Sequence, residues 1–279
     1  MKTYSFLNSM SLKTNKTPSR IMVPHMVNPL VGIDMGIPLN IIQNVFTNLH
    51  YGYDITTFKA ILLQFLIGYY TYGKDRYRDA LVYETNKYET PKKELFEYLI
   101  KYKDFYKLSY DASFIFIVFI LLMDENMINN IPFIALLLST DYYNEIKKLG
   151  PLIKPTYIAV MWTFSAAILP AIMHDHNYSI LNYPIDYLPC AMTMFSSSTI
   201  LDIKDIEEDK INGVRTIPSV YGLEKSQMLT IFLLGLSSLL VGLNPNYLEN
   251  PLPNSVYEFI NLFLASYVFM QSNAIRLYV

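Results

Sequence analysis

Five aspartates fall into two clusters whose spacing suits divalent-cation chemistry. Asp75 and Asp79 stand at i and i+4, and Asp202, Asp205 and Asp209 at i, i+3 and i+7. A helix through either stretch presents its carboxylates on one face. Magnesium is commonly held by one or two carboxylates together with substrate phosphates and water. Arg76 and Arg78 interleave the first cluster, and Lys204, Lys210 and Arg215 accompany the second. Carboxylate clusters with basic residues beside them meet the needs of a diphosphate site. The metal neutralises a leaving diphosphate, and Lys or Arg compensates its remaining charge. A lone pair of this kind near a membrane boundary reads as a solvated face. Two such clusters, ending nonadjacent apolar segments on the same side, read as functional, because desolvating carboxylates there is costly.

The elements that must position these acids are apolar. Of the 279 residues 52% are hydrophobic and 16% charged, with a mean hydropathy of +0.22, whereas an ordinary soluble domain is about 25% charged. Apolar segments recur near 37–53, 57–73, 108–124, 128–143, 155–173, 184–201, 227–243 and 255–273. Several approach the roughly 20 residues that a membrane crossing needs. The segments 37–53 and 128–143 are rich in Asn, and Pro170 predicts a kink in the fifth. The expectation is an all-α, polytopic transmembrane helical bundle of eight spans. A basic arm over 1–33 precedes a single membrane domain over 34–279.

Charge distribution gives an independent test of this segmentation. Of the 22 Lys and Arg, all except Lys59 fall on the amino-terminal arm, the connections 74–107, 144–154 and 202–226, or the carboxyl end. The intervening connections hold none. By the positive-inside rule the basic loops, both termini and both aspartate clusters share the cytoplasmic side, or the stromal or matrix side of an organelle.

Three stretches carry a family resemblance. The run from Asp202 through Asp205, Asp209, Gly213, Thr216 and Pro218 to Gly222 resembles the second aspartate motif and following loop of the UbiA superfamily of intramembrane prenyltransferases. Thr71, Asp75 and Asp79 resemble that family's NxxxDxxxD motif, with Thr71 where Asn is usual. The Arg-Pro that often follows is replaced by Thr90-Pro91-Lys92. Tyr143 to Lys154, running on to Trp162, is similar to the family's tyrosine-plus-lysine loop. Together these cover residues 57–222; the family usually has nine helices.

The resemblance implies a magnesium-dependent transfer of an isoprenoid chain from a prenyl diphosphate to a lipophilic, aromatic acceptor. Two magnesium ions are implied, one near Asp75 and Asp79 and one near Asp202, Asp205 and Asp209. Lys147, Lys154, Arg76, Arg215 and, most weakly, Arg78 are candidates for the diphosphate charge. The Thr71 hydroxyl would contact metal-bound water. Tyr143 would stabilise the allylic cation or orient the diphosphate. The implied partners are the donor, the acceptor and the lipid bilayer. An intramembrane terpene cyclase of the same fold and a silent diphosphate-binding membrane protein stand as alternatives.

Other features point away from other chemistry. A single cysteine, Cys190, excludes an intramolecular disulfide and a cysteine metal cluster. His174-Asp175-His176 lies on the side opposite the aspartates and reads as a polar turn. No phosphate-cradling GxxxxGK loop occurs, and no basic, aromatic-interleaved patch suits nucleic acid.

Overall fold

The protein is described by a computed structural model covering residues 39–43, 58–87, 92–124, 127–174, 184–204, 206, 209, 213–244 and 251–276. The amino-terminal arm lies outside the described residues, as does all but 39–43 of the first expected span.

Every described element is helical. Helix α1 (Phe58–Gly68) passes through a π-turn (Tyr69–Gly73) directly into α2 (Lys74–Asn86). Next come α3 (Lys93–Lys101), α4 (Lys103–Leu122) and α5 (Met127–Ser139). A 3-10 turn (Thr140–Tyr142) leads into α6 (Tyr143–Ile146). Helix α7 (Ile153–Thr163) runs through a second π-turn (Phe164–Ile168) into α8 (Leu169–His174). The carboxyl-terminal part holds α9 (Pro184–Lys204), α10 (Ile217–Tyr221), α11 (Leu223–Gly242) and α12 (Pro251–Arg276).

Among the described residues three helices are long and apolar enough to cross a membrane: Lys103–Leu122, Ile153–Met173 and Leu223–Gly242. On α4 the side chains of Leu108, Ile115, Phe116, Phe119 and Leu122 are exposed, and on α11 those of Met228, Phe232 and Leu239. Apolar side chains exposed in such number mark a surface that meets something other than water. The expected fourth span is a shorter α-helix, α5, continued by the 3-10 turn and α6.

Local chemistry explains the irregularities. The second π-turn stands directly ahead of Pro170, whose ring would crowd the Ala166 carbonyl in a regular helix. The expected kink is therefore taken up by one wider turn. In the first π-turn the Thr71 hydroxyl donates to the Ile67 carbonyl at 2.7 Å, supplying that carbonyl with a donor in the stretch where backbone bonding changes register.

Packing follows small and polar residues. Helix α9 lies between α7 and α11, and α12 covers α11. Ser226, Thr230, Leu234, Ser237 and Val241 form the buried seam of α11, and small residues at such seams let helix backbones approach closely. Thr193 of α9 donates to Asn261 Oδ1 of α12 at 2.9 Å. The hydroxyls of Ser237 and Tyr257 both donate to the Pro189 carbonyl, at 2.9 and 2.8 Å. These bonds pin α9, and so fix the height and rotation of Asp202 at its far end. A second core, around Phe96, Leu99, Tyr106, Tyr110 and Phe133, joins α2, α3, α4 and α5. The amphipathic α3 contributes Phe96 and Leu99, and its exposed face carries Lys93, Glu94 and Glu97.

Candidate functional site

One cavity of about 550 Å³ collects both acidic clusters. Asp75, Asp79, Asp202 and Asp209 line it, with Lys74, Arg76, Arg78, Lys92, Lys147 and Lys154. Below this charged end the wall is mainly apolar: Ile158, Met161 and Trp162 from α7, Met194 from α9, and Ile260 and Leu264 from α12.

Asp75 and Asp79 sit on successive turns of α2, which continues the first apolar helix beyond its π-turn. One oxygen of Asp75, Oδ1, is buried and makes no hydrogen bond. Asp79 is 3.4 Å from Arg76 Nη1 and 3.8 Å from Lys147 Nζ. Burial, and then the neighbouring Asp75 carboxylate, push its carboxyl up to about 6, against the pull of Lys147 and Arg76. The Tyr143 ring stacks on Tyr157 with centroids 5.2 Å apart, and Lys147 Nζ lies 5.3 Å from the Tyr143 centroid. Burial, followed by the carboxylates of Asp75, Asp202, Asp79 and Asp209, holds the Tyr143 phenol well above its usual range.

Across the cavity Asp202 ends the buried face of α9. Lys154, from the first turn of α7, bridges the second pair: its Nζ lies 2.7 Å from Asp202 Oδ1 and 3.3 Å from Asp209 Oδ2. The Asp209 carbonyl accepts the Val214 amide at 2.8 Å. That turn closes through Gly213 at φ +69°, a left-handed conformation that suits glycine. The chain then runs into α10, where Ser219 Oγ accepts the Thr216 amide at 2.8 Å. Pro218 fits the first turn of that helix, where its missing N–H costs nothing. Asp209 is itself helical, and Gly213, Thr216, Pro218 and Gly222 belong to the turn and short helix that follow it.

The expected residues divide. Asp75, Asp79, Asp202, Asp209, Tyr143, Lys147, Lys154, Arg76 and Thr71 line one space. Asp205 lies outside the described residues. Arg215 is not among the lining residues: Val214 and Thr216 are buried beside it, and alternation along the extended chain turns Arg215 outward. Arg78 lines the cavity but donates to the Thr140 carbonyl and pairs with Asp141 at 2.5 Å. Lys74 also pairs with Asp141. Against the effect of burial, these two cations hold the Asp141 carboxyl below its usual range. They tie α2 to the turn that presents Tyr143. Of the tripeptide His174-Asp175-His176, His174 ends α8 and the other two lie outside the described residues. Cys190 is buried and free.

No family model matches the chain, and no curated protein or solved structure matches it. The likeness to a prenyltransferase superfamily therefore rests on the motif residues alone.

The donor set suits magnesium. Among the described residues no three acidic, His or Cys side chains converge on one point, so there is no all-protein cage. Magnesium does not need one, because it keeps waters and shares substrate phosphates. The buried, unbonded Asp75 Oδ1 is a hard donor facing no proton donor.

Proposed function

We propose that this chain is a polytopic membrane protein that ionises an isoprenoid diphosphate with magnesium and transfers the prenyl group to a lipophilic acceptor. The observation that carries the reading is the cavity itself, charged at one end and mainly apolar along its wall. An amphiphile with a polyanionic head and a hydrocarbon tail matches that polarity. Besides the three long apolar helices, α9 and α12 have 21 and 26 residues, about 30 and 40 Å at 1.5 Å per residue. They complete a bundle with α1 and α5, the basic loops on the side of the aspartates.

In this reading Asp75 with Asp79, and Asp202 with Asp209, would hold magnesium. The metal, when bound, supplies Lewis-acid neutralisation of the leaving diphosphate. Lys147, Lys154 and Arg76 orient the diphosphate oxygens and take up its charge. Breaking the allylic C–O bond leaves the electron pair on the diphosphate and a cation on the chain. The stacked Tyr143 and Tyr157 rings offer negative π-faces to that cation. Ile158, Met161, Trp162, Met194 and Leu264 enclose the tail and exclude water that would otherwise capture the cation.

The test is diphosphate release from geranylgeranyl diphosphate by detergent-purified protein, with and without magnesium, with analysis of the lipid products. Magnesium-dependent release supports the ionising site. Products formed without an added acceptor separate cyclisation and hydrolysis from transfer. No release across a panel of donors and aromatic acceptors overturns the reading.

A further inference from the structure

Cations of the chain itself already stand on both members of the second carboxylate pair and on Asp79 of the first. Lys154 Nζ sits between Asp202 and Asp209, 2.7 and 3.3 Å from their oxygens, with its side chain 14% exposed. Lys147 Nζ and Arg76 Nη1 stand 3.8 and 3.4 Å from the two oxygens of Asp79. A magnesium ion would approach such oxygens to about 2.1 Å. Magnesium on Asp202 Oδ1 and the Lys154 ammonium would then compete for one oxygen while repelling each other.

We propose that Lys154, seconded by Lys147, is a removable counter-cation that keeps the carboxylates closed to free metal until a diphosphate draws the ammonium groups onto its own oxygens. This rests on the diphosphate site proposed above and adds the order in which it fills. The geometry allows the exchange without backbone motion. Both lysines line the same cavity as the aspartates they neutralise, and each carries its charge on four rotatable carbons. Arg78 and Lys74 are not equivalent: both are held on Asp141, away from the four aspartates.

Three consequences follow from the exchange. Metal and diphosphate each bind better in the presence of the other, since one removes the competitor of the other and such coupling is reciprocal. The protein without donor does not accumulate metal. After transfer, inorganic diphosphate leaves with its metal, and the lysines return to the carboxylates.

The test uses the full chain in detergent with manganese as the spectroscopic probe. Free manganese is titrated by electron paramagnetic resonance with wild type, Lys154→Met and Lys154→Gln, without diphosphate. Labelled inorganic diphosphate is followed by equilibrium dialysis with manganese present. The glutamine variant keeps an amide donor toward the carboxylates, and so gives the comparison should the methionine variant not fold. Manganese is expected to bind either folded variant at least about tenfold more tightly than wild type, while diphosphate retention falls at least about tenfold. Adding Asp202→Asn should abolish the gained manganese affinity. A lysine that merely braced the fold would not tighten metal when removed. Wild type that holds diphosphate with manganese, beside variants that bind manganese no more tightly, overturns the counter-cation role alone. Wild type that holds no diphosphate with manganese, beside variants that bind no manganese, overturns the diphosphate site as well.

Discussion

Asp79→Asn should make the metal-free protein more stable and inactive at once. The Asp79 side chain is 21% exposed, beside Asp75 on the next turn of α2. Its carboxyl is raised from 3.8 to about 6, by burial first and Asp75 second. At about 1.4 kcal/mol per pH unit, ionising it in the folded chain costs roughly 3 kcal/mol relative to the unfolded chain. Asparagine resembles the protonated form and escapes that cost. The sign follows from proton binding. A carboxyl raised on folding stabilises the fold below its unfolded value of 3.8, and that stability is lost as pH rises toward about 6. The gap between variant and wild type should be near zero around pH 4, widen through pH 5, and level off above pH 6 at up to about 3 kcal/mol. Thermal unfolding in detergent with chelator, across pH 4 to 8, measures it. Diphosphate release, assayed with magnesium, should fall at least about a hundredfold. A variant no more stable than wild type at pH 8, or a gap that does not change with pH, would refute the reasoning.

Four further substitutions separate the parts of the site. Asp75→Asn removes the carboxylate oxygen that makes no hydrogen bond; diphosphate release should drop at least about a hundredfold with normal membrane accumulation, and near-normal turnover would remove Asp75 from the metal site. Gly213→Ala forces a Cβ onto a residue at φ +69°, where nothing lies within 4 Å of the new atom. The cost is therefore backbone strain of about 1 kcal/mol, read as a lower melting temperature; an unchanged one would mean that the turn before Val214 is not held as described. Arg215→Ala should leave diphosphate release within about twofold of wild type, while Lys147→Ala lowers it at least about tenfold. A reversed order in that steady-state assay would return Arg215 to the diphosphate.

The aspartate pairs were legible because helical spacing alone puts Asp75 with Asp79, and the structure continues the first apolar helix through them. Lys147 and Lys154 were legible only through the likeness of residues 143–154 to a tyrosine-plus-lysine loop. Arg215 stands exposed outside the cavity lining, and its direction depends on the backbone between Gly213 and Thr216, which residue type does not announce. The engagement of Lys74 and Arg78 by Asp141 joins residues more than sixty positions apart, and only the packing of α2 against the turn at Thr140 creates it. Tyr157 gave no signal as a partner of Tyr143, because their ring contact depends on how α7 packs against the turn that carries Tyr143. The π-turn at Tyr69–Gly73 also leaves no mark in hydropathy, and it sets the rotation of Asp75 relative to α1.

Charge balance at the cavity's polar end ties these points together. With Lys74 and Arg78 engaged by Asp141, Arg76, Lys92, Lys147 and Lys154 face Asp75, Asp79, Asp202 and Asp209, four bases against four acids. A lone divalent cation entering that balanced set meets cationic side chains on Asp79, Asp202 and Asp209, and a lone polyanion meets those carboxylates beside Lys147 and Lys154. Either ion alone raises the charge imbalance in a cavity whose walls are mainly apolar and screen it poorly. The two together nearly cancel, and each releases the partner that the other requires. A balanced resting site of this kind selects for a ligand that arrives with metal and diphosphate joined, and the apolar wall below then selects among such ligands for one that carries a hydrocarbon tail.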